Sequence, residues 1–234
     1  MWQPQLEAFS ARGWTAYAPD LRGFGRTRPL PAAGEAVTPE MMAQDVVALL
    51  DHYRLPRAVL VGLSMGGYVA MAMARAFPER IAGLVLADTR ASADAPETRA
   101  NRERTATLAL EKGARAVAET MLGGLLRPGA GQDEAEVVLS LASQNEPAGV
   151  AAASRGMALR PDSTDILARL DCPALVLVGA EDVITPVAVA ESIASVLPRG
   201  QLVVIPQAGH LANLENPAGF NAALLSFLEE SFAR

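Results

Sequence analysis

Ser64 is the residue whose surroundings in the sequence most directly indicate chemistry. It occupies the centre of the run Gly62-Leu63-Ser64-Met65-Gly66, which has the pattern G-x-S-x-G. The apolar, β-branched residues 59–61 before it predict a strand, and the small residues 68–74 after it predict a helix. A serine at such a strand-to-helix turn is held in a strained backbone conformation, with its hydroxyl presented above the sheet edge as a nucleophile. The alternative is an ordinary glycine-rich loop in front of a buried helix.

The neighbours of Ser64 suit the same chemistry. Larger residues at positions 62 and 66 would collide with the crossing strand and helix, so we expect glycine to be required at both. Met65 stands at the predicted start of the helix, where backbone N–H groups lack intrahelical partners and the helix dipole favours negative charge. We therefore predict that the Met65 N–H stabilises the oxyanion of an acyl-transfer reaction.

A nucleophilic serine needs a general base, and the chain contains two histidines, His52 and His210. His52 lies in a predicted helix ahead of the strand that leads to Ser64, and therefore at the opposite end of the sheet. His210 follows the last predicted strand, so in a parallel sheet it lies level with Ser64 at the carboxyl edge. We predict that His210 is the base, the alternative being a capping role within its own loop.

Two aspartates are candidates for the acid that orients the histidine. Asp182 follows the strand that precedes the histidine strand, and its loop neighbours that of His210. Asp88 ends the strand after Ser64 and could also reach an imidazole. We favour Asp182 because neighbouring loops align a carboxylate with the ring more directly, and because the chain order serine, aspartate, histidine accompanies this type of serine turn. Glu181 is expected to point away.

Strands that alternate with helices position these residues. The predicted strands contain continuous rather than alternating apolar residues, which is typical of a parallel sheet covered on both faces. They are residues 14–19, 58–63, 83–87, 174–178 and 202–205. Helices are predicted at residues 5–9 and 65–77. Three more are predicted where a capping residue precedes proline: from Thr38-Pro39, from Thr185-Pro186 to Leu197, and from Asn216-Pro217. The inner face of the last helix is predicted to be Phe220, Leu224, Phe227 and Leu228.

Residues 90–170 differ from the rest of the chain. Strand-like runs stop, and four helical stretches follow near 96–111, 113–126, 133–144 and 147–159. An insertion after the carboxyl end of a strand is expected to lie over the site. The charged run 99–104 is interpreted as a solvated helix face rather than a site for an acidic ligand. The candidates for a pocket lining are Met121, Leu125, Met157 and Leu159, with core packing as the alternative for the methionines.

Composition narrows the class of protein. The 234 residues suffice for one α/β domain, and a net charge of −6 without a concentrated basic face argues against nucleic-acid binding. Half of the residues are hydrophobic, but no run approaches the ~20 needed to span a bilayer. No signal peptide is evident, and the single cysteine, Cys172, fits a reducing cytosol. We expect a cytoplasmic protein without nucleic-acid or membrane partners.

Taken together, these motifs resemble the α/β-hydrolase fold superfamily, and within it the small enzymes grouped around 3-oxoadipate enol-lactonase. The resemblance covers nearly the whole chain. It is carried by Ala18-Pro19-Asp20-Leu21-Arg22-Gly23-Phe24-Gly25, Gly62-Leu63-Ser64-Met65-Gly66-Gly67, Gly179 and Asp182 with Thr185-Pro186, and Ala208-Gly209-His210. It implies an α/β fold with a mostly parallel sheet and helices on both faces. It also implies a core of residues 1–89 and 171–234, into which a four-helix cap of residues 90–170 is inserted.

The resemblance further implies hydrolysis of a small-molecule ester or lactone through an acyl-enzyme, without cofactor or metal. In that reaction Ser64 is the nucleophile, His210 the base, Asp182 the orienting acid and the Met65 N–H an oxyanion donor. Two alternatives stay open, namely a ligand-sensing or regulatory protein of this fold with little turnover, and a truncated, inactive hydrolase. Neither the substrate nor the oligomeric state follows from the sequence.

The chain departs from the family pattern at its start. Family members begin with two or three strands and a His-Gly-containing loop that supplies a second oxyanion N–H. The third strand of the family also lies between those predicted here at 14–19 and 58–63. We therefore expect about 20–30 further residues upstream of Met1, enough for two or three strands with their turns. Trp2 is expected either at the mouth of the site, as in the enol-lactonase relatives, or in core packing.

Overall fold

Four strands form one parallel sheet in the computed structural model, which describes residues 1–32 and 34–232. The strands are β1 (Ala58–Leu63), β2 (Ile81–Ala87), β3 (Ala174–Gly179) and β4 (Gly200–Ile205), side by side in that order. The register pairs Val61 with Val85, Val85 with Leu175, and Leu175 with Gln201. All four carboxyl ends therefore meet at one edge, and the predicted parallel α/β architecture is confirmed.

Helices cover the faces of this sheet and fill the long connection between β2 and β3. They are α1 (Gln3–Ser10), α2 (Pro39–His52), α3 (Met65–Ala76), α4 (Pro96–Leu125), α5 (Gln132–Ser143), α6 (Pro147–Ala158), α7 (Thr164–Leu167), α8 (Val187–Val196), α9 (Ala212–Glu215) and α10 (Pro217–Phe232). The predicted helix start at Thr38 is confirmed, because its hydroxyl accepts a hydrogen bond from Met41 N. The start at Asn216 is confirmed in the same way by Gly219 N. No helix in the described part of the chain combines the length and apolar content needed to cross a membrane.

The two central strands are buried on both faces, which explains their continuous apolar sequences. Because successive side chains of a strand point to opposite faces, Leu84 and Leu86 pack with α2 and α3. Val85 and Ala87 pack on the other face with α1 and α10. The predicted inner face of the last helix is confirmed as part of that second core; its residues are Phe220, Leu224, Phe227 and Leu228.

The connection between β2 and β3 is helical, as expected for residues 90–170. α4 spans the first two predicted stretches and contains a break at Gly113, where φ is +88°. α4 packs against both α5 and α6. Val37 N donates a hydrogen bond of 2.9 Å to Ala152 O, which ties α6 to the loop before α2.

The charged run 99–104 is only in part the solvated face that was expected. Arg102 Nε lies 3.1 Å from Asp94 Oδ2, and Asp94 is buried. Buried Arg160 contacts the other oxygen of Asp94 at 2.7 Å. A buried carboxylate is stabilised when both of its oxygens meet cations, so this cluster fastens the start of α4 to the end of α6.

The predicted strand at residues 14–19 is wrong. These residues pair with none of the described strands, and all of them except Trp14 are exposed. Trp14 packs, partly buried, against the core that contains α10. A strand needs a neighbouring strand to supply partners for its N–H and C=O groups, and β1 pairs only with β2 in the described part of the chain.

Candidate active site

The carboxyl edge of the sheet brings three predicted site residues together. Ser64 directly follows β1, Asp182 lies in the loop after β3, and His210 lies in the loop after β4. His210 and Asp182 are buried, whereas Ser64 is partly exposed. His52, at the end of α2, is exposed, and its ring contacts Tyr53. The structure therefore places only His210 of the two histidines beside Ser64.

Ser64 adopts the strained backbone expected of the turn between β1 and α3. Its φ is +51° and its ψ is −111°, in a region that non-glycine residues rarely occupy. The backbone around it is held on both sides: Ser64 N donates to Ala87 O at 2.8 Å, and Thr89 Oγ1 donates to Ser64 O at 2.8 Å. Strain of this kind persists only where the surrounding structure fixes it. The sheet therefore fixes the direction of the Ser64 side chain.

The two glycines that make this turn possible are Gly62 and Gly67, whereas the sequence predicts Gly62 and Gly66. A Cβ at Gly62 would lie 2.3 Å from Gly66 O, and one at Gly67 would lie 2.6 Å from Thr89 Oγ1. At Gly66 a Cβ would meet no atom within 4 Å outside its chain neighbours and the adjacent backbone of α3. The expectation that bulk is excluded at position 66 is thus wrong, because the close approach on the helix side falls one residue later.

His210 joins Ser64 to Asp182. Its Nε2 lies 2.8 Å from Ser64 Oγ, and its Nδ1 lies 2.9 Å from Asp182 Oδ2. A carboxylate can only accept hydrogen bonds, so the imidazole donates through Nδ1–H, and Nε2 is left to accept the Ser64 hydroxyl. A proton can therefore pass from the serine to a ring whose orientation and positive charge the carboxylate stabilises.

Asp182 is held by four hydrogen-bond donors. Its Oδ1 accepts from Ile184 N at 2.8 Å and Thr185 N at 2.9 Å, while its Oδ2 accepts from Thr185 Oγ1 at 2.5 Å and from His210. The expected capping role of Thr185 is wrong, because α8 begins after Pro186 and receives no side-chain cap. The Thr185 hydroxyl is used by Asp182 instead, 3.3 Å from His210 Nδ1.

These contacts keep the Asp182 carboxylate ionised. Burial raises its pKa, but the hydrogen bond and charge of His210, together with the Thr185 hydroxyl and N–H, outweigh burial and hold the pKa below its ordinary value. The acid beside the imidazole is therefore a carboxylate at neutral pH, which is the form that stabilises an imidazolium.

Asp88, the other aspartate considered for this place, makes no hydrogen bond to His210. Its Oδ1 accepts from Gly179 N at 2.8 Å, and its Oδ2 is buried without a hydrogen-bond partner. Burial raises the pKa of Asp88 well above its ordinary value, only partly opposed by the Gly179 N–H, and the negative charges of Asp182 and Glu215 raise it further. Asp88 thus fixes β2 to β3 and does not orient the imidazole. Glu181 is exposed, as expected.

The start of α3 lies directly beside Ser64. Met65 is the first residue of this helix, and Ser64 is its N-cap residue. A backbone N–H at this position has no carbonyl of its own helix to bond, and the helix dipole favours negative charge beside it. The arrangement is thus able to stabilise an oxyanion that forms next to Ser64.

The four residues predicted as candidates for a pocket lining do not share one environment. Met157 packs against the core that contains α3, whereas Met121 and Leu159 are exposed. The Leu125 carbonyl accepts a hydrogen bond from the N–H of Leu211, the residue that follows His210.

Trp2 packs against Phe220, with the ring centroids 6.2 Å apart, which agrees with the expectation of core packing rather than a place at the mouth of the site. Among residues 1–32 and 34–232 there is no group of three or more His, Cys, Asp or Glu side chains arranged to hold a metal ion.

The contacts that three further residues make around the site were not predicted from the sequence. For Thr185 the sequence does contain an indication, because an aspartate three residues before a threonine is typical of a turn in which the carboxylate accepts hydrogen bonds from nearby N–H groups. The sequence around Thr89 and Glu215 gives no such indication, since Ser64 lies 25 residues from Thr89 and Arg127 lies 88 residues from Glu215.

Comparisons with known proteins identify the family. The α/β-hydrolase fold family matches residues 1–217. The 3-oxoadipate enol-lactonase 2 of Acinetobacter baylyi is 33% identical over 230 residues, which are 96% of this chain and 82% of that protein. A thermophilic esterase from Thermogutta terrifontis, solved with malate bound, has a TM-score of 0.93 and 41% identity, covering 98% of this chain and 85% of that one. The enol-lactonase from Burkholderia xenovorans LB400 has a TM-score of 0.84 and 25% identity, covering 97% and 85%.

The chain therefore belongs to the α/β-hydrolase fold family. The resemblance to the enol-lactonase and small esterase group, drawn from the motifs, is confirmed by these relatives. Family and relatives together support a hydrolase.

Proposed function

We propose that this protein hydrolyses carboxylic esters or lactones through an acyl-enzyme. Ser64 is the nucleophile, His210 the general base and Asp182 the acid that orients it. The observation that carries the proposal is the continuous series of contacts from Ser64 Oγ through His210 to Asp182, at 2.8 Å and 2.9 Å. Distances in this range allow proton transfer in the ground state without rearrangement.

The proposed reaction has two halves. His210 Nε2 removes the proton from Ser64 Oγ as this oxygen attacks the carbonyl carbon, and the oxyanion that forms faces the Met65 N–H. Collapse of the tetrahedral intermediate breaks the bond between the carbonyl carbon and the alcohol oxygen, which takes the proton from the imidazolium. The alcohol departs from an ester, whereas in a lactone it stays attached to the acyl group. Water then attacks the acyl-enzyme with His210 again as the base, and release of the acid restores the Ser64 hydroxyl.

The substrate class rests on the relatives and on the site. Two of the similar proteins are enol-lactonases and one is an esterase. The site also suits the leaving group of an ester or lactone, since an imidazolium readily protonates a departing alkoxide. We therefore propose a small-molecule ester or lactone as the substrate.

We also propose that residues 90–170 form a four-helix cap over this site, inserted in a core of residues 1–89 and 171–234. The hydrogen bond of 3.1 Å from Leu211 N to Leu125 O supports a position of the end of α4 beside the histidine loop. The close approach of Gly124 to Ile184, in the loop of Asp182, supports the same position.

Hydrolysis assays with paired histidine variants test the proposal. The wild-type protein is expected to hydrolyse members of a panel of short-chain p-nitrophenyl esters and lactones. His210→Gln is expected to lower kcat by ~10⁴-fold or more, since loss of one triad member removes most of the rate enhancement. His52→Gln is the matched control and is expected to keep the wild-type kcat, because His52 is exposed at the end of α2. A kcat of His210→Gln equal to that of the wild type, or a folded wild-type protein inactive on the whole panel, would contradict the proposal.

A further inference from the structure

Glu215 is a buried carboxylate that the reaction described above does not use. It ends the short helix α9, five residues after His210, and its side chain is 1% exposed. Its Oε2 accepts from Gly209 N at 2.7 Å, and its Oε1 accepts from Arg127 N at 2.7 Å. Each carboxylate oxygen thus holds a backbone N–H of a different segment, the histidine loop and the junction between α4 and α5.

The histidine loop is fastened to this junction on both sides of His210. Gly209 precedes the histidine and bonds Glu215, while Leu211 follows it and donates to Leu125 O at 3.1 Å. The two backbones approach so closely that a Cβ at Gly209 would lie 2.6 Å from Arg127 N. The position of the His210 backbone therefore depends on residues 125–127.

Arg127 provides the charge that accompanies this buried carboxylate. Its Nη1 lies 4.0 Å from Glu215 Oε1, and its Nη2 lies 3.1 Å from Glu134 Oε1 in α5. A buried carboxylate is costly unless hydrogen-bond donors and a cation satisfy it. Glu215 has both.

We propose that Glu215 is a positioning residue for His210. Its carboxylate holds the histidine loop against the α4–α5 junction, so that Nε2 stays within reach of Ser64 Oγ. The proposal rests on the function proposed above. Glutamine does not fulfil the role, because a carboxylate offers an acceptor to each of the two N–H groups, whereas an amide turns one NH₂ donor toward an N–H.

The test is the rate at which a fluorophosphonate labels Ser64, measured by intact mass, in the wild type and in Glu215→Gln. If His210 is misplaced, Ser64 reacts more slowly in every folded molecule. The labelling rate constant of Glu215→Gln is therefore expected to fall by roughly 10- to 100-fold, while all of the protein is still labelled in the end. With an ester substrate, kcat is expected to fall by the same factor without a change in KM. Glu134→Gln is the matched control, because it alters a partner of Arg127 and leaves both bonds of Glu215 in place.

A purely structural role gives a different result. It would reduce the labelled fraction, because fewer molecules are folded, and leave the rate constant of the labelled molecules unchanged; that result overturns the proposal. So does a Glu215→Gln rate constant equal to that of the wild type. A folded wild-type protein that does not react would overturn the proposed function and this inference together.

A second variant covers the case in which Glu215→Gln does not fold. Gly209→Ala leaves Glu215 intact but adds a Cβ that would lie 2.6 Å from Arg127 N, which separates the histidine loop from the junction. It is expected to slow labelling in the same way, and a rate constant equal to that of the wild type overturns the proposal.

Discussion

Replacing Thr185 by valine tests how the Asp182 carboxylate is held. Thr185 is 2% exposed, and valine matches its shape but lacks the hydroxyl that lies 2.5 Å from Asp182 Oδ2. The backbone N–H of residue 185 is unchanged by the substitution. Asp182 therefore keeps three of its four donors, and water has little access to replace the fourth.

The expected magnitude follows from the charge of the acceptor. A hydrogen bond to an ionised group contributes about 1.5–3 kcal/mol, so Thr185→Val is expected to lower the free energy of unfolding by about 2 kcal/mol at neutral pH. The pH dependence has a definite sign. The pKa of Asp182 is held below its ordinary value, so stability from its ionised form is present at neutral pH and lost as pH falls through that pKa. The variant raises the pKa of Asp182, so the difference between the two proteins shrinks at low pH.

Urea denaturation of the wild type, Thr185→Val and Thr185→Ser from pH 7 downward measures this difference. Thr185→Ser keeps the hydroxyl and loses only one buried methyl group. Its free energy of unfolding is therefore expected to stay within about 1 kcal/mol of the wild-type value. A loss of stability for valine no larger than that for serine would contradict a stabilising hydrogen bond from Thr185 to Asp182. A loss for valine that stays constant below about pH 4, where an unperturbed aspartate protonates, would contradict it as well.

Two further substitutions test other parts of the site. Asp88→Asn is expected to gain stability relative to the wild type as pH rises from about 4 to 7, because the raised pKa of Asp88 makes its ionisation in the folded state costly. Urea denaturation at both pH values checks this, and a gain independent of pH would contradict it. Gly62→Ala is expected to destabilise by about 1–3 kcal/mol or more, since its Cβ would lie 2.3 Å from Gly66 O. Gly66→Ala is the control with open space around the new Cβ; equal thermal denaturation midpoints for the two variants would contradict the geometry.

The sequence predicts the positions of Ser64, Asp182 and His210 because each directly follows an apolar run that forms a parallel strand. Once those runs are interpreted as parallel strands, their carboxyl ends share an edge, and residues after different strands come together. Local signals of this kind also predict the starts of α2 and α10, where Thr38 and Asn216 cap the backbone with their own side chains.

The features of the fold and site that could not be predicted from the sequence depend on contacts between distant residues. The segment 14–19 contains apolar and aromatic residues but forms no strand, since strand formation depends on a partner that composition does not reveal. Gly67 rather than Gly66 is the crowded glycine because Thr89, from the end of β2, lies against it. Glu215 bridges two segments separated by more than eighty residues, so neither its type nor its spacing indicates the role.

Intact-mass analysis after treatment with a fluorophosphonate shows whether Ser64 is an activated nucleophile without assuming a substrate. A single adduct is expected on the wild-type protein and none on Ser64→Ala. No adduct on folded wild-type protein would contradict the proposed role of Ser64, and so would an adduct that persists in Ser64→Ala.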